Sequence, residues 1–155
     1  MHPATARRRT VMTLAHALRA AHHWPMDTAL RWAWRIEKSD IAACVAGVRY
    51  GQRQTALAHL GRYDARDTWL SLQREPRNPH DTHAVAILAT VAGRGCARVG
   101  YLAAPVARVL APLMDRGLLV RVNEWSITDG DIMGLRLSLT VGTATRLHRT
   151  HIRIA

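Results

Sequence analysis

Residues 72–87 read LQREPRNPHDTHAVAI, and the groups that could do chemistry crowd into the middle of that stretch. Carboxylates stand at Glu75 and Asp81, imidazoles at His80 and His83, an amide at Asn78, and guanidinium groups at Arg74 and Arg77. An ionised carboxylate accepts a hydrogen bond from a hydroxyl and repels a phosphate. A guanidinium does the reverse, presenting a planar fork to phosphate oxygens. Pro76 and Pro79 fix φ, and an Asn between them can bond its own backbone, so the corner is expected to be rigid. A rigid corner loses little entropy on binding. Asp81 has a second use, capping its own turn by accepting the amides of Thr82 or His83, and two oxygens allow both. Asn78 reads as structural or ligand-touching, and Glu75 as an arginine partner or a plain surface group.

Other chemistries have weaker support. His22-His23 and His80/His83 lack the cysteine or carboxylate company of a zinc site. Glu75, Asp81 and His83 do not make the convergent carboxylates of a magnesium nuclease, and the only lysine is Lys38, in the N-terminal part. No enzyme activity, metal or cofactor is therefore expected. Cys44 and Cys96 form no CxxC pair; buried thiols in a reducing cytoplasm are expected rather than a disulfide. No apolar run approaches the roughly 18 residues of a membrane span. His16 and Arg19 interrupt the apolar stretch after the basic start, which makes a poor signal peptide.

The chain has 155 residues, 48% of them hydrophobic, and a formal charge of +11. Arginine makes up the basic set almost alone, the composition of a high-GC bacterium or its phage. An excess of positive charge on a short chain makes a polyanion the default partner.

The elements that must hold these groups follow from periodicity. Residues 1–9 end in Arg7-Arg8-Arg9 and read as a loose arm. A helix is expected from about Thr10, with Val11, Leu14, Ala15, Leu18 and Ala21 on one face and Pro25 beyond its end. A second helix is expected over 26–38, with Ala29, Trp32, Ala33 and Ile36 in a stripe. This hairpin should dock on the following domain or on a second subunit. Strands are expected over 41–50, around Trp69–Leu72, at 84–88, 97–101, 118–125 and 133–141; residues 54–60 are a short helix or a strand. Pro105 suits an early helix position, Gly117 its C-terminal stop, and Pro112 calls for a bend or a broken last turn. The segments predicted are residues 1–39 as arm and hairpin, 40–142 as a β domain, and 143–155 as a basic tail or edge strand. The fold class is mainly β: a small OB- or SH3-like barrel of short strands with one or two inserted helices, α+β when the hairpin is included.

Residues 43–141 resemble the HIRAN domain. The resemblance rests on Gly47-Val48-Arg49-Tyr50, on Arg74-Glu75-Pro76-Arg77-Asn78-Pro79-His80-Asp81 followed by Ala84-Val85, on Val99-Gly100-Tyr101-Leu102, and on Leu113-Met114-Asp115-Arg116-Gly117, in the family's order. It implies a non-catalytic barrel that captures single-stranded DNA at a free 3′ end. On the family pattern the corner carboxylate, Asp81, accepts the terminal hydroxyl, Tyr50 stacks on a base, and His80 occupies a position more usually Tyr. Tyr101 and Ala104 replace a histidine and a phosphate-binding lysine of the best-understood member. Arg49, Arg53, Arg77, Arg98 and Arg108 are the candidates for phosphate, with Asn78 near the terminal nucleotide. The expected partner is single-stranded DNA or a DNA 3′ end. The alternative is a protein-interaction or oligomerisation module, accessory to a nuclease, helicase or phage-defence system and assembling through the N-terminal helices.

Overall fold

The computed structural model describes residues 3–38 and 41–142; the tail expected at 143–155 lies outside them. Two helices, α1 (Pro3–His22) and α2 (Met26–Glu37), form the N-terminal hairpin. Then come β1 (Ile41–Ala46), α3 (Arg53–Leu60), β2 (Thr68–Arg74), β3 (Val85–Val91), β4 (Gly95–Leu102), α4 (Ala104–Asp115), β5 (Leu119–Thr128) and β6 (Gly134–Gly142). The strands make one antiparallel sheet in the order β2-β3-β4-β1-β6-β5. It curls until β2 faces β5 across a shallow cleft lined by Leu70, Ser71, Leu72, Val120, Arg121 and Val122. The result is a nearly closed, OB-like barrel with two inserted helices, as expected from the sequence.

β1 turns the barrel. Its first part, Ile41 to Cys44, pairs with β6, and Val45 and Ala46 then pair with β4. The β4 partner can come close because Gly100 has no side chain: a Cβ there would stand 2.5 Å from the carbonyl oxygen of Ala46 and 2.4 Å from Val45 Cγ1. Alternation on β1 buries Ile41, Ala43 and Val45 and turns Cys44 outward. Both cysteines are free and exposed, which corrects the expectation of buried thiols.

Three further differences from the sequence reading have local causes. Residues 3–9 are helical rather than a loose arm, since proline is tolerated in a first turn and alanine and arginine are strong helix formers. The first strand ends at Ala46, because Gly47 takes φ 71° and the chain enters a turn, with Tyr50 N–H bonding the Gly47 carbonyl at 3.3 Å. Pro112 does not break α4, which continues to Asp115 with Leu110, Ala111 and Leu113 buried on either side of it. The helix stops as expected at Gly117, whose φ of 88° lets Gly117 N–H bond Met114 and Leu118 N–H bond Leu113.

The hairpin docks on its own barrel. Val11, Leu14, Ala15 and Leu18 of α1 and Ala29, Ala33 and Ile36 of α2 belong to the same hydrophobic core as Leu110, Leu113, Leu137 and Leu139. Arg116 Nη1 reaches back to the Ala17 carbonyl at 3.0 Å. At the hairpin elbow His22 stacks on Trp24, with ring centroids 4.4 Å apart, and its Nε2 is buried without a hydrogen-bond partner.

Two outcomes follow. Gly100→Ala places a methyl against backbone that cannot give way, so chemical denaturation should show a loss of about 1–3 kcal/mol. For His22, desolvation holds the pKa below its ordinary value, with His83 and Arg116 adding repulsion against an opposing pull from the Val109 backbone. The unfolded chain then binds the proton more readily than the folded one. This contribution to stability is full above about pH 6.5, the ordinary histidine value, and is lost as pH falls below it. His22→Phe should flatten the decline in melting temperature measured between neutral pH and pH 5.5.

Candidate nucleic-acid interface

The Arg74–Ala84 corner is built by its own polar groups. Asn78 Oδ1 accepts the backbone amides of His80 at 2.9 Å and Asp81 at 3.3 Å, and its Nδ2 donates to Glu75 Oε2 at 3.0 Å. The Asn78 side chain is thus occupied in holding the turn. Arg74 closes the base: Nη1 bonds the Ala84 carbonyl at 3.1 Å and Nη2 donates to Asp115 Oδ2 at 3.0 Å, while Nε lies 3.0 Å from Oδ1 without making a hydrogen bond. That ion pair fastens the corner to the end of α4.

Glu75 ties the corner to β4. Arg98 Nη2 lies 2.8 Å from Glu75 Oε1, the Tyr101 hydroxyl donates to Oε2 at 3.1 Å, and Arg98 Nη1 donates to the same hydroxyl at 2.9 Å. Arg53 and Arg98 both stand over the Tyr101 ring, 5.4 and 5.5 Å from its centroid, within cation–π range. Arg53 also donates to the Gly47 carbonyl at 2.7 Å. The ring of Tyr101 therefore serves as a spacer that orients two guanidinium groups.

Those arginines open onto a groove of about 830 Å³ between α3 and the β3–β4 hairpin. Arg53 and His59 line one wall, Arg94, Cys96 and Arg98 the other, and Tyr50 stands at an end. None of the residues lining it is acidic. Tyr50 is 72% exposed, which excludes a core-packing role and leaves its ring open to solvent.

The sequence candidates divide by place. Tyr50, Arg53 and Arg98 line the groove, while Tyr101 and Asn78 join it through Glu75. Arg77, His80 and Asp81 lie on the outer part of the corner and do not line the groove. Asp81 Oδ1 accepts the His83 amide at 2.8 Å and stands 3.7 Å from His83 Nδ1; its Oδ2 takes no hydrogen bond among the described residues, and the side chain is 38% exposed. The turn-capping role and an open oxygen thus coexist. Arg49 is exposed in the turn before α3, and Arg108 is exposed on α4; neither lines the groove. Sequence reasoning passed over Arg94 and His59. Arg94 sits in a turn read only as a connection, and His59 is on a segment whose element type was left open. Among the described residues no three His, Cys, Asp or Glu side chains gather where a metal could be held, and no helix is long and apolar enough to cross a membrane.

A small antiparallel barrel with a groove of this charge has the form of the barrels that bind nucleic acid. The chain belongs to the HIRAN domain family, whose model matches residues 39–144. HIRAN domains are DNA-binding domains. Among solved structures the chain is similar to a protein from Lactobacillus plantarum, at 24% identity with a TM-score of 0.41 over 64% of this chain and 91% of that one. It is also similar to the HIRAN domain of human HLTF, at 20% identity with a TM-score of 0.41 over 74% and 91%. No curated protein matches it.

Asn78→Ala removes the acceptor for two backbone amides and the donor to Glu75. Hydrogen exchange at the His80 and Asp81 amides should accelerate, with a global loss of about 1–2 kcal/mol.

Proposed function

We propose that the groove and the corner bind the end of a single DNA strand, favour a free 3′-hydroxyl, and leave the strand chemically unchanged. The carrying observation is the acid-free, arginine-lined groove with an exposed tyrosine, joined through Glu75 to a corner whose aspartate keeps one oxygen open. Arg53, Arg94 and Arg98 take phosphates, and a backbone threading between them gains affinity without reading sequence. Tyr50 stacks on a base, worth about 1–3 kcal/mol for any base. Asp81 Oδ2 accepts the terminal hydroxyl and repels a phosphate in its place. His80 offers a smaller ring than tyrosine at the corner and stacks over less area.

The alternative, a protein-interaction role for the N-terminal helices, has less to draw on. Their apolar stripes are spent in the chain's own core, and Met12 and Trp34, 43% and 38% exposed, are what remain of large apolar groups outside it.

Short oligonucleotides ending in a 3′-hydroxyl or a 3′-phosphate separate the readings in a solution binding assay. The hydroxyl end should bind about ten- to a hundred-fold more tightly, the worth of one hydrogen bond to a charged group. Asp81→Ala should erase that difference, whereas Tyr50→Ala should weaken both. Equal binding of the two ends by the unaltered protein would reduce the groove to a general cation surface.

A further inference from the structure

We infer that the outer face of α1 is a second phosphate-binding surface, which takes the backbone of duplex DNA adjoining the strand held in the groove. The inference rests on the DNA reading of the groove and concerns a part of the chain outside the family match. Arg8, Met12, His16 and Arg19 recur at four-, four- and three-residue spacing, so they share one face of the helix. All are exposed, and Arg9 flanks them. The adjoining face, about 100° round the helix, carries Val11, Leu14, Ala15 and Leu18 into the core, which fixes the arginine row relative to the barrel.

The charge on this face is uncompensated. α1 contains no Asp or Glu. Of the carboxylates on α2, Asp27 is held by Arg31 at 2.6 Å and Glu37 faces Arg7 at 3.5 Å on the inner side. Arg8, Arg9 and Arg19 take no acidic partner among the described residues. At the elbow the face runs into an open cleft of about 410 Å³ lined by Arg19, His23, Trp24 and Pro25.

Its chemistry differs from that of the groove. Single strands are held by cations together with stacking rings; here Trp24 is already stacked with His22 and Trp32, and the rings left exposed are the small imidazoles of His16 and His23. Cations with no free tyrosine or tryptophan beside them match a nucleic acid whose bases are already paired. From Arg8 to Arg19 the row spans roughly 16 Å along the helix axis, and a duplex presents a phosphate charge about every 1.7 Å over that distance.

The test compares the full chain with the Arg8→Ala/Arg9→Ala/Arg19→Ala variant on two probes: a short single strand, and the same strand as a 3′ overhang on a duplex. Binding is followed against salt, and circular dichroism confirms that the helices persist. The variant should lose about two to three units of salt slope on the tailed duplex, with affinity at least tenfold weaker, while short-strand binding is unchanged. Lysine at the same three positions should restore the slope. An unchanged slope on the tailed duplex overturns the inference. So does equal weakening on both probes, which would put α1 on the single strand's path. Loss of binding to phosphatidylserine vesicles with duplex binding intact would overturn it in favour of a membrane. The Arg53→Ala/Arg98→Ala variant keeps the two readings apart. If it leaves short-strand binding intact, the groove reading falls, while a slope on the tailed duplex that depends on α1 still stands.

Discussion

The site depends on a carboxylate that touches no open groove. Glu75 accepts hydrogen bonds from Asn78, Arg98 and Tyr101, and so joins the proline corner, β4 and the arginine wall into one rigid body. Its side chain is 20% exposed. Partial burial strengthens charged hydrogen bonds and makes an unpaired charge costly, so each partner holds the others in place. Arg98 is kept pointing along the wall, and the corner is kept at its distance from β4. Within the groove the arginines repel one another, and a carboxylate just outside the lining holds one of them without cancelling the field inside.

The corner was legible because proline and asparagine act locally. Pro76, Asn78 and Pro79 specify a turn from their own backbone chemistry, and the Asx bonds of Asn78 are the ones that chemistry dictates. The end of α4 was legible for a similar reason, a glycine at the one position that needs positive φ. Glu75 was legible only as a choice, since nothing in sequence says that Arg98, more than twenty positions away, would be its partner. The groove was harder. Its α3 wall comes from an eight-residue helix, RQTALAHL, with no marked apolar face. Without a face, Arg53 and His59 could not be set on one side. Cys44 and Cys96 were misjudged because thiols favour interiors on average, whereas pairing register decided where each pointed.

Charge in this chain is partitioned rather than spread. Several carboxylates already hold a particular arginine: Asp27 with Arg31, Glu37 with Arg7, Glu75 with Arg98, Asp115 with Arg74. Asp27 with Arg31, the pair exposed on both sides, adds little to stability. Together the pairs leave other arginines uncompensated, among them Arg53 and Arg94 on the groove walls and Arg8, Arg9 and Arg19 on α1.

The exchange of partners along β1 has a consequence for how the protein is made. β1 is the first strand in the sequence but lies inside the sheet, between β4 and β6. Its first part pairs in register with β6, nearly a hundred residues downstream. Contacts of such separation close late, because the intervening loop entropy must be overcome first. A ribosome must therefore deliver almost the whole described chain before the hairpin and β1 find the surface that covers them. Until then β2, β3 and β4, neighbours in both sequence and space, are the part able to assemble alone.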